Sequence, residues 1–322
     1  MKQKVILTLL FFLLAGGIFF YSLHQEPEKT VERPIADSTY LKIGLIPTSE
    51  CLPFLVAEHY GIADSCGLKL RTYLYDASMD ADTAFMNGVV DCVMIDLVKL
   101  SVMESRGEKV SAVFGGDVHL SVIVSRQSRI SDVKNLKDKI VSITRNSVVD
   151  MYADRILSDA RLASTDINKP QINSLPIRYG MLLQNEYDGA ILPEPWASMS
   201  VKHGCRRLTS MLSVESMDKM YAVVFRDSVI NRRRPDIYRL LNAYNQSVDY
   251  INKNRRTHIK ELLGLLNITT IYPDSVLGIS PFPHTMPVSE GSLSTCRSWS
   301  RSRNLLGKYS KQDIINKEFI KE

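Results

Sequence analysis

From residue 40 onward, short apolar runs alternate with amphipathic stretches, and few folds accept that alternation. The runs at 41–46, 68–75, 89–95 and 110–114 end at a proline, a glycine or an acid. Between the first two, Leu52, Leu55, Val56 and His59 fall on one face at helical spacing. Short apolar strands separated by amphipathic helices build parallel sheets from βαβ units. Local chemistry sharpens the helix ends. Thr48 or Ser49 can cap the first helix, Pro53 sits in its first turn, and Gly61 stops it. A short helix over 80–87 is stopped by Gly88, and the strand after it ends at Asp96.

A second set of elements follows the run at 121–125. A strand over 139–144 leads through Arg145-Asn146-Ser147 into a helix carrying Val148, Met151, Tyr152, Ile156 and Leu157. After a further helix near 179–185 comes Asp188-Gly-Ala-Ile-Leu-Pro-Glu-Pro-Trp196. Pro193 and Pro195 fix φ and remove backbone donors, so they end the strand and hold Glu194 extended or in a turn. Trp196 adds a large apolar face with one N–H donor. The segment reads either as a rigid turn with a core tryptophan or as a grip for a small polar ligand. It echoes the stretch about a hundred residues earlier, where Asp91 precedes an apolar strand ending at Asp96. Two similar lobes would produce that echo. From 227 onward the pattern is mostly helical, with stripes at Ile237, Leu240, Leu241 and Tyr244 and at Ile259, Leu262, Leu263 and Leu266. A last polar helix is expected around 313–320.

Lys2 and Lys4 precede an apolar run over 5–23, the pattern of an export signal and close to bilayer-spanning length. Residues 1–25 therefore read as a signal peptide or membrane anchor, and 26–39, with Pro27 and Pro34, as a flexible linker. Either form places the rest outside the cytoplasmic membrane. A net charge of +5, with basic residues scattered apart from 232–234 and 255–256, gives no nucleic-acid footprint. Five cysteines (51, 66, 92, 205, 296) form no Cys-x-x-Cys or zinc spacing. They read mostly as buried small hydrophobes, although an oxidising compartment would permit a Cys51–Cys66 bridge. No metal, cofactor or catalytic site is implied, since no Ser/His/Asp or Cys/His arrangement stands out among six histidines.

Several stretches, in order, resemble the periplasmic substrate-binding proteins of ABC importers, in the nitrate/sulfonate/taurine and thiamine-pyrimidine-precursor group. They are Leu41-Lys-Ile-Gly-Leu-Ile-Pro, Leu52-Pro-Phe-Leu-Val-Ala-Glu-His-Tyr-Gly-Ile, Ala84-Phe-Met-Asn-Gly-Val-Val-Asp91, Val133-Lys-Asn-Leu-Lys-Asp-Lys-Ile and 188–197. Trp299, Leu305-Leu306, Tyr309 and 313–319 also look like that group's C-terminal part. The resemblance implies a two-lobed type II periplasmic-binding-protein fold, each lobe a mostly parallel sheet flanked by helices. Lobe I would span 40–120, lobe II with hinge strands 121–225, and 226–322 would return to lobe I with C-terminal helices. The chain would cross between lobes near 120–126 and 220–225.

The same resemblance implies a monomer that captures a small-molecule ligand and passes it to an ABC permease and ATPase complex at the membrane. Its ligand loops map onto Thr48, Ser49, Glu50, Cys51, Phe54, Asp96, Gly115, Asn146, Ser147, Glu194 and Trp196. Helix starts at Ser49 and Ser147 would offer backbone N–H groups. Asp96 and Ser147 have helix capping as a competing role, Glu50 has a favourable place at a helix N-terminus, and Cys51 has a structural one. Glu50, Asp96 and Glu194 are acidic, and buried carboxylates require donors. The sequence therefore points to a ligand with N–H donors, such as an aminopyrimidine stacked on Trp196. An oxyanion binder or an anchored sensory domain of the same fold is the alternative. An enzymatic branch that makes a thiamine pyrimidine carries clustered cysteines, which this chain lacks.

Overall fold

The computed structural model describes residues 39–210, 217, 219–254, 257–269, 281–308 and 314–320. The N-terminal apolar run and the linker to residue 38 lie outside the described residues. Among the described residues, no helix is long and apolar enough to cross a membrane.

Two mixed sheets organise the chain. The strands are β1 (Leu41–Leu45), β2 (Leu70–Leu74), β3 (Cys92–Asp96), β4 (Val110–Gly116), β5 (Leu120–Val124), β6 (Val141–Ser142), β7 (Gly189–Pro193), β8 (Arg206–Ser210) and β9 (Tyr221–Arg226). The first sheet has the order β2-β1-β3-β9-β4 and the second β6-β7-β5-β8. Strands β1, β2 and β3 are parallel, as are β6 and β7, which is the βαβ pattern expected from sequence. In each sheet one strand runs against its neighbours. β9 is antiparallel to β3 and β4, and β5 is antiparallel to β7 and β8. Both are the first strand after the chain has crossed from the other sheet.

The chain passes from the first sheet to the second through 117–119 and is back in the first sheet at β9, whereas the crossings were expected at 120–126 and 220–225. Those segments are strands β5 and β9 themselves, their apolar runs consumed by sheet pairing. The expected lobe II boundary at 225 thus falls inside β9, which pairs in the first sheet. The two crossings are tied together where Lys219 N donates to Asp117 Oδ1 at 2.9 Å.

The helices are α1 (Leu52–His59), α2 (Ile62–Ser65), α3 (Ser78–Met86), α4 (Leu97–Ser105), α5 (Val148–Asp159), α6 (Leu175–Leu183), α7 (Trp196–Lys202), α8 (Asp227–Asn254), α9 (Ile259–Leu265) and α10 (Glu290–Ser302). Helix α8 kinks at Arg233, just ahead of Pro235, whose ring and missing N–H break the helical ladder. It returns to the first sheet, where Tyr244 packs on Phe54 and Phe114 at ring separations of 5.0 and 5.3 Å.

Two local expectations are overturned. Neither Thr48 nor Ser49 caps a helix through its side chain; Ser49–Cys51 is a single 3₁₀ turn leading into α1. The polar tail over 314–320 is not helical. Ala112 N donates to Ile314 O and Asn316 N to Ala112 O, so the tail joins the open edge of β4. A sheet edge with unpaired backbone groups outcompetes a short isolated helix.

Candidate functional site

The carboxyl ends of β1, β3 and β7 converge on a cavity of about 90 Å³ between the two halves. Ligand sites in open α/β sheets occupy that position. One wall comes from the first half: Thr48 and Glu50 after β1, Asp96 ending β3, Ser78 and Asp82 on α3, and Lys99 on α4. The other comes from the second half: Thr144, Ser147 and Val148 at the start of α5, with Asn173 and Arg178 around α6. Apolar side chains, among them Met94, Val118, Leu120 and Leu175, fill the intervening positions.

Asp96 joins the two halves. Its Oδ1 accepts from Val98 N and Lys99 N at 3.1 Å, capping α4. The same oxygen accepts from Val148 N, the first residue of α5 in the other half, at 3.2 Å. Burial pushes its carboxyl up to about 6, against the pull of Lys99 and the helix amides. Ser147 caps α5 as its residue type suggests, accepting from Val149 N and donating to Thr144 O. The N–H groups at the start of α5, expected to be free for ligand, are thus partly committed within the chain.

The other two acids are also satisfied. Glu50 Oε1 accepts from the backbone N–H of His119 and pairs with its Nδ1, both at 2.9 Å, anchoring the first crossing. Burial alone would lower the His119 imidazole, but Glu50 outweighs it and holds it above its ordinary value. Glu194 lies outside the cavity lining. Its Oε2 accepts from Ser198 N at 3.0 Å and its Oε1 from Arg207 Nη2 at 2.6 Å. Each of the three acids thus has a partner within the chain, and only Glu50 and Asp96 line the cavity.

Of the residues expected from sequence, Thr48, Glu50, Asp96 and Ser147 line the cavity. Trp196 does not. It packs on Tyr179 at 5.3 Å and donates its indole N–H to Pro47 O at 2.7 Å, a bond between the two halves. The peptide before Pro195 is cis. Ser49 contributes a second inter-half bond through its backbone, donating to Glu194 O at 2.9 Å. Cys51 is fully buried beside Thr48 and Met94, and burial pushes its thiol up to about 12. Phe54 belongs to the aromatic core with Phe114 and Tyr244. Gly115 is a close-approach position, where a Cβ would stand 2.8 Å from Tyr221 O. Asn146 adopts a left-handed φ of 53° and faces a neighbouring space. All five cysteines are free thiols, so the Cys51–Cys66 bridge is not made.

The sequence reading missed Arg178. It is 1% exposed and faces the cavity from α6. Its Nε and Nη1 donate to Ile172 O and Ile191 O at 2.9 Å, and its Nη2 donates to Thr144 Oγ1. No carboxylate pairs with it among the described residues. Burial lowers it to about 10, so it remains a cation at neutral pH. Asp82 was missed as well. Its Oδ2 pairs with Lys99, its Oδ1 is buried without a partner, and burial raises it despite Lys99. Among the described residues, no group of three or more histidines, cysteines or acids is placed to hold a metal ion.

Comparison with solved structures decides the fold. The alkanesulfonate-binding protein SsuA from Xanthomonas axonopodis pv. citri, bound to MOPS, superposes with a TM-score of 0.74 at 15% identity, over 86% of this chain and 98% of that one. The periplasmic aliphatic sulphonate binding protein SsuA from Escherichia coli gives 0.69 at 17% identity, over 85% and 95%. The fold is that of the periplasmic binding proteins. Desulfurization enzyme DSZB shares the periplasmic-binding-protein fold, with a TM-score of 0.61 at 12% identity over 82% and 93% of the two chains. The fold therefore accommodates catalysis as well as capture. No family model and no curated protein matches the chain.

Proposed function

We propose that this chain is an extracytoplasmic solute-binding protein. It captures a small organic anion between its lobes and delivers it to an ABC permease and ATPase complex, with closure by hinge motion where the chain passes between the two sheets. The observation that carries the reading is Arg178, a buried guanidinium with no carboxylate partner among the described residues, facing an interlobe cavity. A buried cation without a counter-charge is costly, and an oxyanion ligand supplies the charge and accepts its remaining donors. This favours the oxyanion alternative over an aminopyrimidine stacked on Trp196, because the three acids behind that idea have partners within the chain and Trp196 is not among the residues lining the cavity. One specific observation keeps a place for an N–H donor. Asp82 Oδ1 is buried and unpartnered at the cavity wall, so an anion that also carries an amine fits better than a bare one.

Capture is favoured over catalysis by Cys51. Its thiol is sealed from the cavity and held protonated by burial, so it offers no thiolate for attack. Calorimetric titration with short alkanesulfonates, carboxylates and aminopyrimidines tests the assignment. Sulfonates or carboxylates are expected to bind and uncharged pyrimidines not to. Replacing Arg178 by Met should weaken anion binding by at least about 30-fold, the loss for truncating one member of a buried charged pair. Arg178→Lys keeps the charge and should recover part of it. Binding of pyrimidines with no response to anions refutes the proposal.

A further inference from the structure

Helix α10 packs on α4 of the first half and reaches the second half at its end. Arg297 Nε and Nη2 each donate to Glu104 of α4 at 2.7 Å, and Ser300 Oγ stands 3.0 Å from Ser101 Oγ. Trp299 and Arg303, the residue that ends the helix, find partners in the other half. Trp299 Nε1 donates to Asp154 Oδ2 of α5 at 3.0 Å. Arg303 Nη2 donates to the same oxygen, and to Ser164 Oγ at 2.9 Å, with its guanidinium over the Trp299 ring.

The acids they engage are short of cations. Lys169 Nζ donates to Asp150 Oδ1 at 2.8 Å and to Asp154 Oδ1 at 2.9 Å, and all three side chains are largely buried. Within the second half two carboxylates therefore share one bonded cation, and Arg303 of the first half supplies another. The hydrogen bond to Asp154 holds its guanidinium above its ordinary value against burial, and the charges of Asp154 and Asp150 add to the effect. Parting the halves leaves both carboxylates to Lys169 and the indole N–H without its acceptor, a cost that opposes opening. Helix α5 carries that restraint to the cleft. Its first residues, Val148 and Val149, line the cavity, and Asp96 holds Val148 N. Asp154 stands about 9 Å further along the axis and outside the lining. One helix is thus held by the first half at two places, by Asp96 inside the cleft and by α10 outside it.

We propose that Arg303 and Trp299 form an outer clamp on α5 that sets how often the cleft opens, and so how fast ligand enters and leaves. The inference rests on the capture reading and adds control of that site by a helix that lines no part of it. The clamp is made in the closed form whether or not ligand is enclosed. Weakening it therefore speeds entry and release by the same factor and leaves affinity where it was.

The test begins with hydrogen exchange on the full chain without ligand. Three backbone N–H groups report opening: Ser49 to Glu194 O, Leu175 to Asp76 O, and Val148 to Asp96 Oδ1. None of them bonds to α10. Arg303→Met should accelerate all three by a common factor of about five- to ten-fold, the loss for a charge-assisted pair that is part exposed, while amides within β3 and β7 stay unchanged. Arg303→Lys should give a smaller factor, and Trp299→Phe about three-fold. Acceleration confined to α5 and α10, or none, overturns the clamp. Should Arg303→Met loosen the strands as well, Trp299→Phe decides by the same criterion, since it keeps a ring and removes one donor. Stopped-flow fluorescence with methanesulfonate then reads the link to capture. Association and dissociation rates should rise together in Arg303→Met with an unchanged ratio, and a change in one rate alone overturns that link. Methanesulfonate that binds no form of the protein overturns the anion reading and leaves the clamp to stand or fall on hydrogen exchange.

Discussion

Replacing Asp96 with Asn tests whether burial or the helix amides dominate at the centre of the cleft. Three backbone N–H groups from two helix N-termini converge on Asp96 Oδ1, and such contacts favour the carboxylate by up to about 2 kcal/mol. Burial acts the other way and prevails, placing the native pKa at about 6 against an ordinary 3.8. The folded protein therefore holds this proton more tightly than the unfolded chain. Stability falls as pH rises from about 4 to about 6, and the full penalty is present above the native value. At 1.36 kcal/mol per pH unit, the ionised carboxyl costs the fold about 3 kcal/mol at pH 7.5 but only about 1 kcal/mol at pH 4.5. Asparagine keeps an acceptor oxygen and carries no charge. The stability of Asp96→Asn relative to wild type should therefore improve by about 2 kcal/mol between pH 4.5 and 7.5, whatever fixed offset the substitution introduces. Urea denaturation at both pH values, with unchanged m values, reads that difference. A wild-type advantage that grows with pH would mean that the two helix N-termini outweigh desolvation, and would refute the reasoning.

The same proton couples to the ligand. An anion near Asp96 raises its carboxyl further, so calorimetric affinity for a sulfonate should rise as pH falls from 7.5 to 5.5, and Asp96→Asn should flatten that profile; a wild-type profile already flat counts against an anion at this site. Both tryptophans of the chain donate their indole N–H from one half to the other, Trp196 to Pro47 O and Trp299 to Asp154 Oδ2 at 3.0 Å. Ligand should therefore change intrinsic fluorescence, and Trp196→Phe should cost about 1 kcal/mol in stability while a sulfonate still binds. An abolished affinity with native stability would instead give Trp196 the ligand contact that sequence suggested. Cys66 is the one cysteine with intermediate exposure, the other four being buried. Mass spectrometry after brief iodoacetamide treatment at pH 8 should find a single rapid adduct there, and labelling of Cys51 would contradict its sealed environment.

The sequence carried the alternation of strand and helix because that signal is local. Parallel β1, β2 and β3 need only the apolar runs and the helices between them. The direction of β5 and β9 was not legible, because their apolar runs look like any buried strand and only the crossing from the other half reverses them. At the site, Asp96 was legible as an acid ending a strand. Arg178 left a fainter trace. Leu175, Arg178 and Leu182 are spaced i, i+3 and i+7, so a cation sits on the buried face of an amphipathic helix, where function is the usual reason for one. Trp196 lies outside the cavity lining for a physical reason. Its N–H needs an acceptor and finds one in a backbone carbonyl of the facing half, a long-range pairing that no local pattern encodes.

Those long-range pairings also bound the energetics of capture. Separation of the halves breaks Pro47–Trp196, Ser49–Glu194, Asp96–Val148 and the bond from Leu175 N to Asp76 O at 2.9 Å. At about 1 kcal/mol net for each hydrogen bond, this closing energy amounts to a few kcal/mol. Opening at that cost populates a minor state that ligand can reach without unfolding either half. Asp154 adds a second tie outside the cleft, where it joins Trp299 and Arg303 to Lys169. Burial alone would raise its carboxyl, and the hydrogen bonds from Arg303, Ser164 and Lys169 hold it below its ordinary value instead. Acidification therefore weakens this tie only well below the range in which Asp96 takes up its proton. Through pH 6 the outer tie stays ionised while the inner carboxyl becomes neutral, so the cleft can trade charge with an incoming anion and its latch remains intact.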